Sequence, residues 1–227
     1  MEIKKVFYII GLTGGVLAGG IAYAQDDLRF YLGGDLGYGK VKSYDDAKNA
    51  ITAQHGTYST KEKSTSFGIL AGLRYCENFG TELGYTSYKK LKYSFSLPVG
   101  AINNNGNPID GSDNGTIKAN NISLDLLGYM PIGKDVELIG SVGLGRVKFK
   151  DTWSATGNLG QSLENLYGAS SMKLNKTGYR LGLGVQYKFI DYFATRAMVK
   201  YQKVGKKNGL PLAKNITTVN LSVIYNI

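Results

Sequence analysis

The sequence predicts an all-β transmembrane protein, an eight-stranded antiparallel up-and-down β-barrel. Three observations predict this fold: segments of alternating apolar and non-apolar residues, connections that are alternately short and long, and a composition rich in glycine and tyrosine. The chain has 227 residues, with 31 Gly, 17 Tyr and only 4 Pro. Glycine weakens helices and tyrosine favours sheets. The single Cys and single His exclude a disulfide framework and a Cys/His zinc cluster.

The first residues are typical of a secretory signal peptide. Two lysines precede an uncharged apolar stretch over residues 6–22, and small residues then occupy the positions that signal peptidase reads. We expect cleavage between Ala24 and Gln25, which gives a signal at 1–24 and an exported barrel at 25–227. A membrane-anchoring helix is the alternative, but the stretch is at the lower length limit for spanning and is rich in glycine.

Eight segments of about ten residues alternate with a period of two, as half-buried strands do. The segment from Tyr179 to Phe189 is a clear example, because Tyr, Leu, Val and Phe alternate with Arg, Gly, Gln and Lys. Four long connections, predicted as surface loops, lie at about 42–64, 89–117, 150–176 and 204–214, and short turns separate the other strands. Short turns at one end and long loops at the other are the layout of bacterial outer-membrane barrels.

The non-apolar face of the strands distinguishes a membrane barrel from a soluble one. A soluble barrel points this face to water, where glycine would weaken the strands, whereas a narrow membrane barrel encloses it. The face is largely glycine with a few charged or amide side chains, and we predict that these form a polar network inside the barrel. Its predicted members are Asp35, Arg74, Glu82, Asp125, Arg180, Gln186, Arg196 and Lys200.

Three segments resemble the transmembrane domain of the OmpA-like family. They are Phe79–Tyr85, Leu126–Leu138 and Gly184–Arg196, which resemble the family's third strand, its fourth and fifth strands, and its sixth and seventh strands. The glycine–aromatic alternation is also similar to that of the OmpX/Ail adhesion group. The resemblance implies a porin-family barrel in the outer membrane of a Gram-negative bacterium. We expect no periplasmic domain, because the sequence stops after the eighth predicted strand.

The resemblance also carries expectations about single residues. Glu82 and Arg196 match the family's interior charged residues, whereas Gln186 replaces an acidic residue of its sixth strand. The last segment is similar to the family's assembly-signal strand, which implies the barrel-assembly machinery as a partner, although Ile227 replaces the usual final aromatic residue. The outward residues of this C-terminal assembly strand are Val219, Leu221, Val223, Tyr225 and Ile227.

The positive charge is concentrated at one end of the predicted barrel. The formal net charge is +10, and the long connections and their flanks contain sixteen Lys against seven acidic residues. Such an end attracts the phosphates of lipopolysaccharide or sulfated host glycans; plain solvated loops near an anionic surface are the alternative. The strongest candidate for a polyanion-binding loop contains Lys203, Lys206, Lys207 and Lys214 and no acid.

Three functions are compatible with this pattern. The leading one is a surface-exposed adhesin whose basic loops contact outer-membrane lipid and lipopolysaccharide, and also host matrix, a glycan or a cell-surface receptor. The alternative is a small gated solute pore, and the third is a lipid-modifying barrel enzyme. We expect no enzyme activity, because the only His, His55, lies in a loop without the setting of a catalytic base. No catalytic residue, cofactor, metal site or nucleic-acid partner is predicted.

One strand is predicted to project above the membrane. Leu91, Tyr93, Phe95 and Leu97 continue the outward parity of the segment that starts at Phe79. An exposed apolar edge of this kind can bind a partner by strand addition.

Overall fold

The computed structural model describes residues 28–42, 49, 51–101, 106, 108, 110–158, 171–204 and 214–227. Within this part of the chain nearly every residue lies in a β-strand, and no helix there is long and apolar enough to cross a membrane. The predicted signal peptide and its cleavage site at Ala24 and Gln25 lie outside the described residues.

The strands are antiparallel and follow one another along the chain. They are β1 (Arg29–Lys42), β2 (Thr57–Thr60), β3 (Lys63–Arg74), β4 (Phe79–Leu97), β5 (Gly111–Pro131), β6 (Val136–Ala155), β7 (Ser171–Ile190), β8 (Phe193–Lys203) and β9 (Asn215–Asn226). All of them except β2 form one closed ring, because β1 pairs with both β3 and β9 and because β4 pairs with β5. The predicted eight-stranded antiparallel barrel is therefore confirmed, with one extra short strand.

The ring has an apolar outside and a polar inside at its middle. On β6 the outward side chains run from Leu138 to Leu144, while β7 exposes Leu181 and Leu183. Exposed apolar side chains form such a belt on each strand of the ring, and aromatic residues such as Phe30, Tyr179, Phe189 and Tyr225 lie toward its edges. This belt has the composition of a lipid-facing surface with interfacial aromatic girdles.

The strands reach further beyond the belt than the alternation predicts. Residues 89–97 and 111–117 lie in β4 and β5 rather than in a loop, and β6 and β7 likewise extend into the predicted loop at 150–176. The projection of β4 as far as Leu97 was predicted from its apolar alternation, whereas the extensions of β5, β6 and β7 consist mostly of polar or small residues and lack the apolar period that marks the membrane-spanning part. Between 204 and 214, in contrast, the predicted connection and the end of β8 agree.

The prediction that the side chains of Leu91 and Leu97 point outward is wrong. The pairing of β4 with β5 shifts between Tyr88 and Leu91, which is a β-bulge, and both leucines are buried. The extra residue of a bulge inverts the facing of every later side chain. The edge predicted for strand addition is already covered, because β2 pairs with residues 93–96 of β4.

Candidate functional site

The lumen contains an ion pair at the middle of the membrane-spanning part. Glu82 projects inward from β4 and Arg196 from β8, and both are almost fully buried, at 3% and 1% exposure. The Arg196 guanidinium donates to a Glu82 carboxylate oxygen and, through Nε, to Gln186 Oε1 at 3.0 Å. The Tyr31 hydroxyl donates to Glu82 Oε2 at 3.0 Å. The structure thus brings together the two charged residues that the resemblance singles out, with Gln186 beside them.

Other predicted members of the interior network lie on the side of this pair toward the long connections. Lys200 Nζ is 3.6 Å from Glu82 Oε1, and Arg180 Nε is 3.3 Å from Asp125 Oδ1. Asp35 accepts hydrogen bonds from Asn220 Nδ2 at 2.8 Å and Ser222 Oγ at 3.2 Å. Charges taken out of water need such partners, so these contacts stabilise a filled lumen.

The short-turn end of the lumen has a second cluster. Arg74 Nη2 and Lys188 Nζ lie 3.0 Å and 2.9 Å from Glu137 Oε1, and Gln186 donates to the other oxygen of Glu137 at 3.1 Å. The Arg74 guanidinium also stacks on the Tyr129 ring, 4.2 Å from its centroid. Gln186 therefore links the two clusters, because it contacts both Glu137 and Arg196.

Glu137, Tyr31 and Tyr129 also lie in the interior, although the sequence pattern does not predict them there. Glu137 directly follows a short turn, so the sequence suggests that its charge belongs to the turn. Its inward position becomes clear only because β6 already begins at Val136. The two tyrosines belong to the polar face of their strands, but alternation treats an aromatic residue as apolar. Their hydroxyls lie 3.3 Å apart, within hydrogen-bond distance.

An apolar layer fills the lumen above the charged residues, toward the long connections. It consists of Val41, Tyr88, Leu91, Ala119, Val147, Phe149, Val204 and Ile216, all buried. Below the ion pair, a cavity of about 610 Å³ extends to the short-turn end and is lined by residues that include Arg29, Arg74 and Arg196. The lumen is thus a vestibule at one end and packed side chains at the other.

Above the belt, two buried carboxylates lie on either side of one tyrosine. The Tyr93 hydroxyl lies 3.1 Å from Asp151 Oδ2, and its ring passes directly over Gly115. Asp113, at 2% exposure, is close enough that its charge affects Asp151. Burial raises the pKa of Asp151 to about 6 and also raises the pKa of Asp113. Within the described part of the chain neither carboxylate has a Lys, Arg or His within 4.0 Å.

The predicted polyanion-binding loop is only partly described. Lys203 and Lys214 are exposed, whereas Lys206 and Lys207 lie outside the described residues. Lys203 Nζ is 5.8 Å from the centroid of the Tyr179 ring, an aromatic residue at the edge of the belt. Its charge is therefore at the level where a lipid headgroup meets the barrel.

The other predicted features have these positions. Val219, Leu221, Val223, Tyr225 and Ile227 are all exposed on the outside of β9 or at its end. His55 has a backbone φ of 58° just before β2. Across the residues that the structure covers, no group of three or more His, Cys, Asp or Glu is placed to hold a metal ion.

Several solved structures have a similar fold. Neisserial surface protein A is 16% identical, with a TM-score of 0.51, over 87% of this chain and 96% of that one. The outer membrane protein OprG of Pseudomonas aeruginosa is 14% identical, with a TM-score of 0.51, over 88% of this chain and 95% of that one. At these identities the likeness concerns the fold. Among curated proteins, none matches the chain.

The family model for the outer membrane protein beta-barrel domain matches residues 10–226, almost the whole chain. This match agrees with the closed ring, the lipid-facing belt and the enclosed charges. The long connections then lie on the outer side and the short turns on the periplasmic side. The chain belongs to the family of outer membrane β-barrel domains and crosses the bacterial outer membrane with its strands.

Proposed function

We propose that the protein is a surface-exposed, adhesin-like barrel that contacts sulfated glycans, matrix or receptors of a host through its basic outer end. The observation that carries this proposal is the combination of a filled lumen with a positively charged outer rim. The outer half of the lumen is occupied by apolar side chains and the middle by the Glu82–Arg196 pair. Recognition by this molecule therefore depends on surfaces outside the barrel.

The charge distribution supports a polyanionic partner. The long connections and the strand ends beside them carry most of the lysines, and Lys61, Lys92, Lys203 and Lys214 are exposed at this end. A surface with one sign of charge raises the encounter rate with a polyanion and gives binding that weakens as salt increases.

Binding to immobilised heparin tests this proposal. Replacing Lys203, Lys206, Lys207 and Lys214 with Gln removes four positive charges from one connection, and we expect weaker binding with a shallower dependence on salt. The control replaces four other outer lysines, Lys40, Lys42, Lys61 and Lys63, with Gln. Binding that is unchanged by the first variant, or lowered equally by both, contradicts the assignment to this loop.

A small pore is the second candidate function. The vestibule of about 610 Å³ at the periplasmic end favours it, because arginines line this cavity and Arg196 lies at its inner end. A passage would require the apolar layer around Phe149 and Val147 to move aside. We expect the purified barrel to show no steady, resolved channels in planar lipid bilayers. Regular channels with preference for anions would overturn the proposal of an adhesin-like barrel with a filled lumen.

A further inference from the structure

A ladder of lysines runs across three neighbouring strands on the outside of the barrel. In the strand register Lys118 of β5 is directly opposite Lys150 of β6, and Lys150 is directly opposite Lys173 of β7. All three side chains are exposed and face outward. We call these three residues the lysine ladder.

Two more cations continue the ladder down the middle strand. Lys148 and Arg146 have the same outward parity as Lys150 and are exposed. The next outward residue, Leu144, is the first of the apolar belt on this strand. The five cations therefore form a patch about 13 Å high and about 10 Å wide, given the rise per residue and the strand spacing of a sheet. Its lower edge touches the lipid-facing surface.

The patch has no acidic partner in the part of the chain that the structure describes. None of its five cations lies within 4.0 Å of a carboxylate of a described residue. The residues opposite its two lower cations are uncharged: Asn120 and Asn175 lie on either side of Lys148, and Ile122 and Thr177 lie on either side of Arg146. Like charges directly opposite each other on a sheet are destabilising. A surface with three lysines in a row is therefore stabilised when an anion lies between them.

The position of the patch identifies the kind of anion. The patch faces sideways from the barrel wall, and Arg146 at its lower edge comes directly above Leu144, which is in register with Leu124 and Tyr179 at the outer edge of the apolar belt. A ligand that covers both the apolar belt and the cation patch has acyl chains below and negative charge above. Five cations spread over three strands also exceed what one phosphate neutralises. We propose that this face binds the multiply phosphorylated headgroup of lipopolysaccharide in the outer leaflet of the same membrane.

The opposite side of the barrel provides a contrast. β1 lies four strands away around the ring from β6, and its outward Lys40 is paired with Glu62 at 3.0 Å. Lys40 is directly opposite Lys63 of β3 and the uncharged Thr217 of β9, so this side has two cations in a row, one of them neutralised, instead of three without a counter-charge. Neutralising three lysines on this side, Lys40, Lys42 and Lys63, removes the same charge without touching the ladder.

The test measures how lipopolysaccharide raises the unfolding temperature of the full-length folded barrel in neutral detergent micelles. A ligand that binds only the folded state stabilises it, and the stabilisation grows with the logarithm of the ratio of ligand concentration to Kd. For K118Q/K150Q/K173Q we expect that at least about tenfold more lipopolysaccharide is needed for the same rise, since each lysine near an anionic surface contributes to affinity. The control K40Q/K42Q/K63Q is expected to respond like the wild type.

Two further measurements examine the ladder variant without lipopolysaccharide and with two control lipids. Without lipopolysaccharide the ladder variant should unfold at the same or a higher temperature than the wild type, because like-charge repulsion is removed. Dephosphorylated lipopolysaccharide and phosphatidylglycerol should stabilise the wild type and the ladder variant equally. Equal weakening by both triple variants, no weakening by the ladder variant, a ladder variant that fails to fold, or a ladder-dependent response to either control lipid would overturn the proposal.

Discussion

At the residue scale, the Glu82–Arg196 pair explains how two charges can lie inside a membrane protein. Each charge would be costly to bury alone, but Glu82 also accepts from Tyr31 and lies near Lys200, while Arg196 also donates to Gln186. Because both carboxylate oxygens of Glu82 and two nitrogens of Arg196 lie near a partner, removal of one charge costs much more than the pair contributes.

We expect Glu82→Gln to lower the free energy of unfolding by about 3 kcal/mol or more, because Arg196 then remains buried without a counter-charge. Denaturant titration of the barrel in micelles measures this loss. The matched control is Glu62→Gln, which breaks the exposed pair with Lys40 and should cost less than about 1 kcal/mol. Equal effects of the two variants would contradict the structural role of the buried pair.

Two interior glycines make room for tyrosine rings. A methyl group built on Gly72 would overlap the Tyr31 ring, and one on Gly115 would overlap the Tyr93 ring. In both cases the glycine lies on the strand next to the tyrosine, directly opposite it. The high glycine content of the chain therefore has a local cause at these positions, since a large side chain of one strand covers the backbone of the next.

Gly72→Ala should destabilise the barrel by about 1–3 kcal/mol, because Tyr31 must move away from Glu82 to avoid the added methyl group. The control is Gly34→Ala, a position with open space around it on the lipid-facing side. Unfolding temperatures of both variants in the same detergent check the expectation. A loss at Gly34 as large as that at Gly72 would mean that backbone effects, and not the tyrosine, are responsible.

Because apolar and polar residues alternate strictly along the strands, the interior charges can be predicted from the sequence. The prediction fails close to a turn and for side chains that have both an apolar and a polar part. Arg180 and Lys200 follow from parity alone, because each is flanked by outward apolar residues. Glu137 is missed because it is close to a turn. Tyr31 is missed because its ring is apolar while its hydroxyl binds Glu82. Contacts between strands that are distant in sequence cannot be derived from the pattern of one strand.

At the element scale, the outer extensions of β4, β5 and β6 form the least predictable part of the fold. The bulge between Tyr88 and Leu91 inverts the facing of the later residues, and the sequence there, Lys89-Lys90, has no glycine or proline to mark it. Tyr93 turns inward as a consequence and reaches Asp151. The same inversion brings Phe95 against the buried Leu97 and Ala101, where it helps to close the outer end.

The pH dependence of these extensions follows from Asp151. Its pKa of about 6 in the folded barrel lies above the value of 3.8 for a free carboxyl, so the folded state binds the proton more tightly. The outer extensions should therefore be most stable at low pH and lose stability as the pH rises from about 4 through about 6. Among the described residues, Tyr93 and Asp113 are the titratable groups that affect Asp151, and the repulsion from Asp113 acts in the same direction.

Hydrogen exchange of the backbone amides near Asp151 measures this effect. After correction for intrinsic rates, exchange should be about tenfold or more faster at pH 7.5 than at pH 5. Asp151→Asn should remove most of the difference. Asp191→Asn, in a short turn at the other end, should not. A pH response that survives in Asp151→Asn would assign the effect to another group.

At the scale of the whole molecule, the closed ring was predictable because lipid imposes one rule on all strands. Each backbone group must be paired and each outward side chain must be apolar, and both conditions leave a signal with a period of two. The apolar layer around Phe149 could not be predicted in this way. Its residues point inward and lie in the part of the strands above the membrane, where lipid no longer imposes the rule.

The orientation of the barrel can be tested with its only cysteine. Cys76 lies in the short turn between β3 and β4 and is partly exposed. In intact cells a membrane-impermeant maleimide should leave Cys76 unmodified, and it should react once the outer membrane is permeabilised. A Cys76→Ser variant that also carries Lys61→Cys, at the other end, should react in intact cells. The opposite pattern would contradict an outward position of the long connections.

The strands of the ring differ in length, and this gives the molecule a front and a back. β4 to β7 contain 19, 21, 20 and 20 residues, whereas β1, β3, β8 and β9 contain 14, 12, 11 and 12. One half of the wall therefore rises as a screen beyond the bilayer, and the other half ends low. A polymer that lies on the outer face of the membrane therefore meets a wall of paired strands, which carries the lysine ladder, on one side of the barrel and the connections between shorter strands on the other.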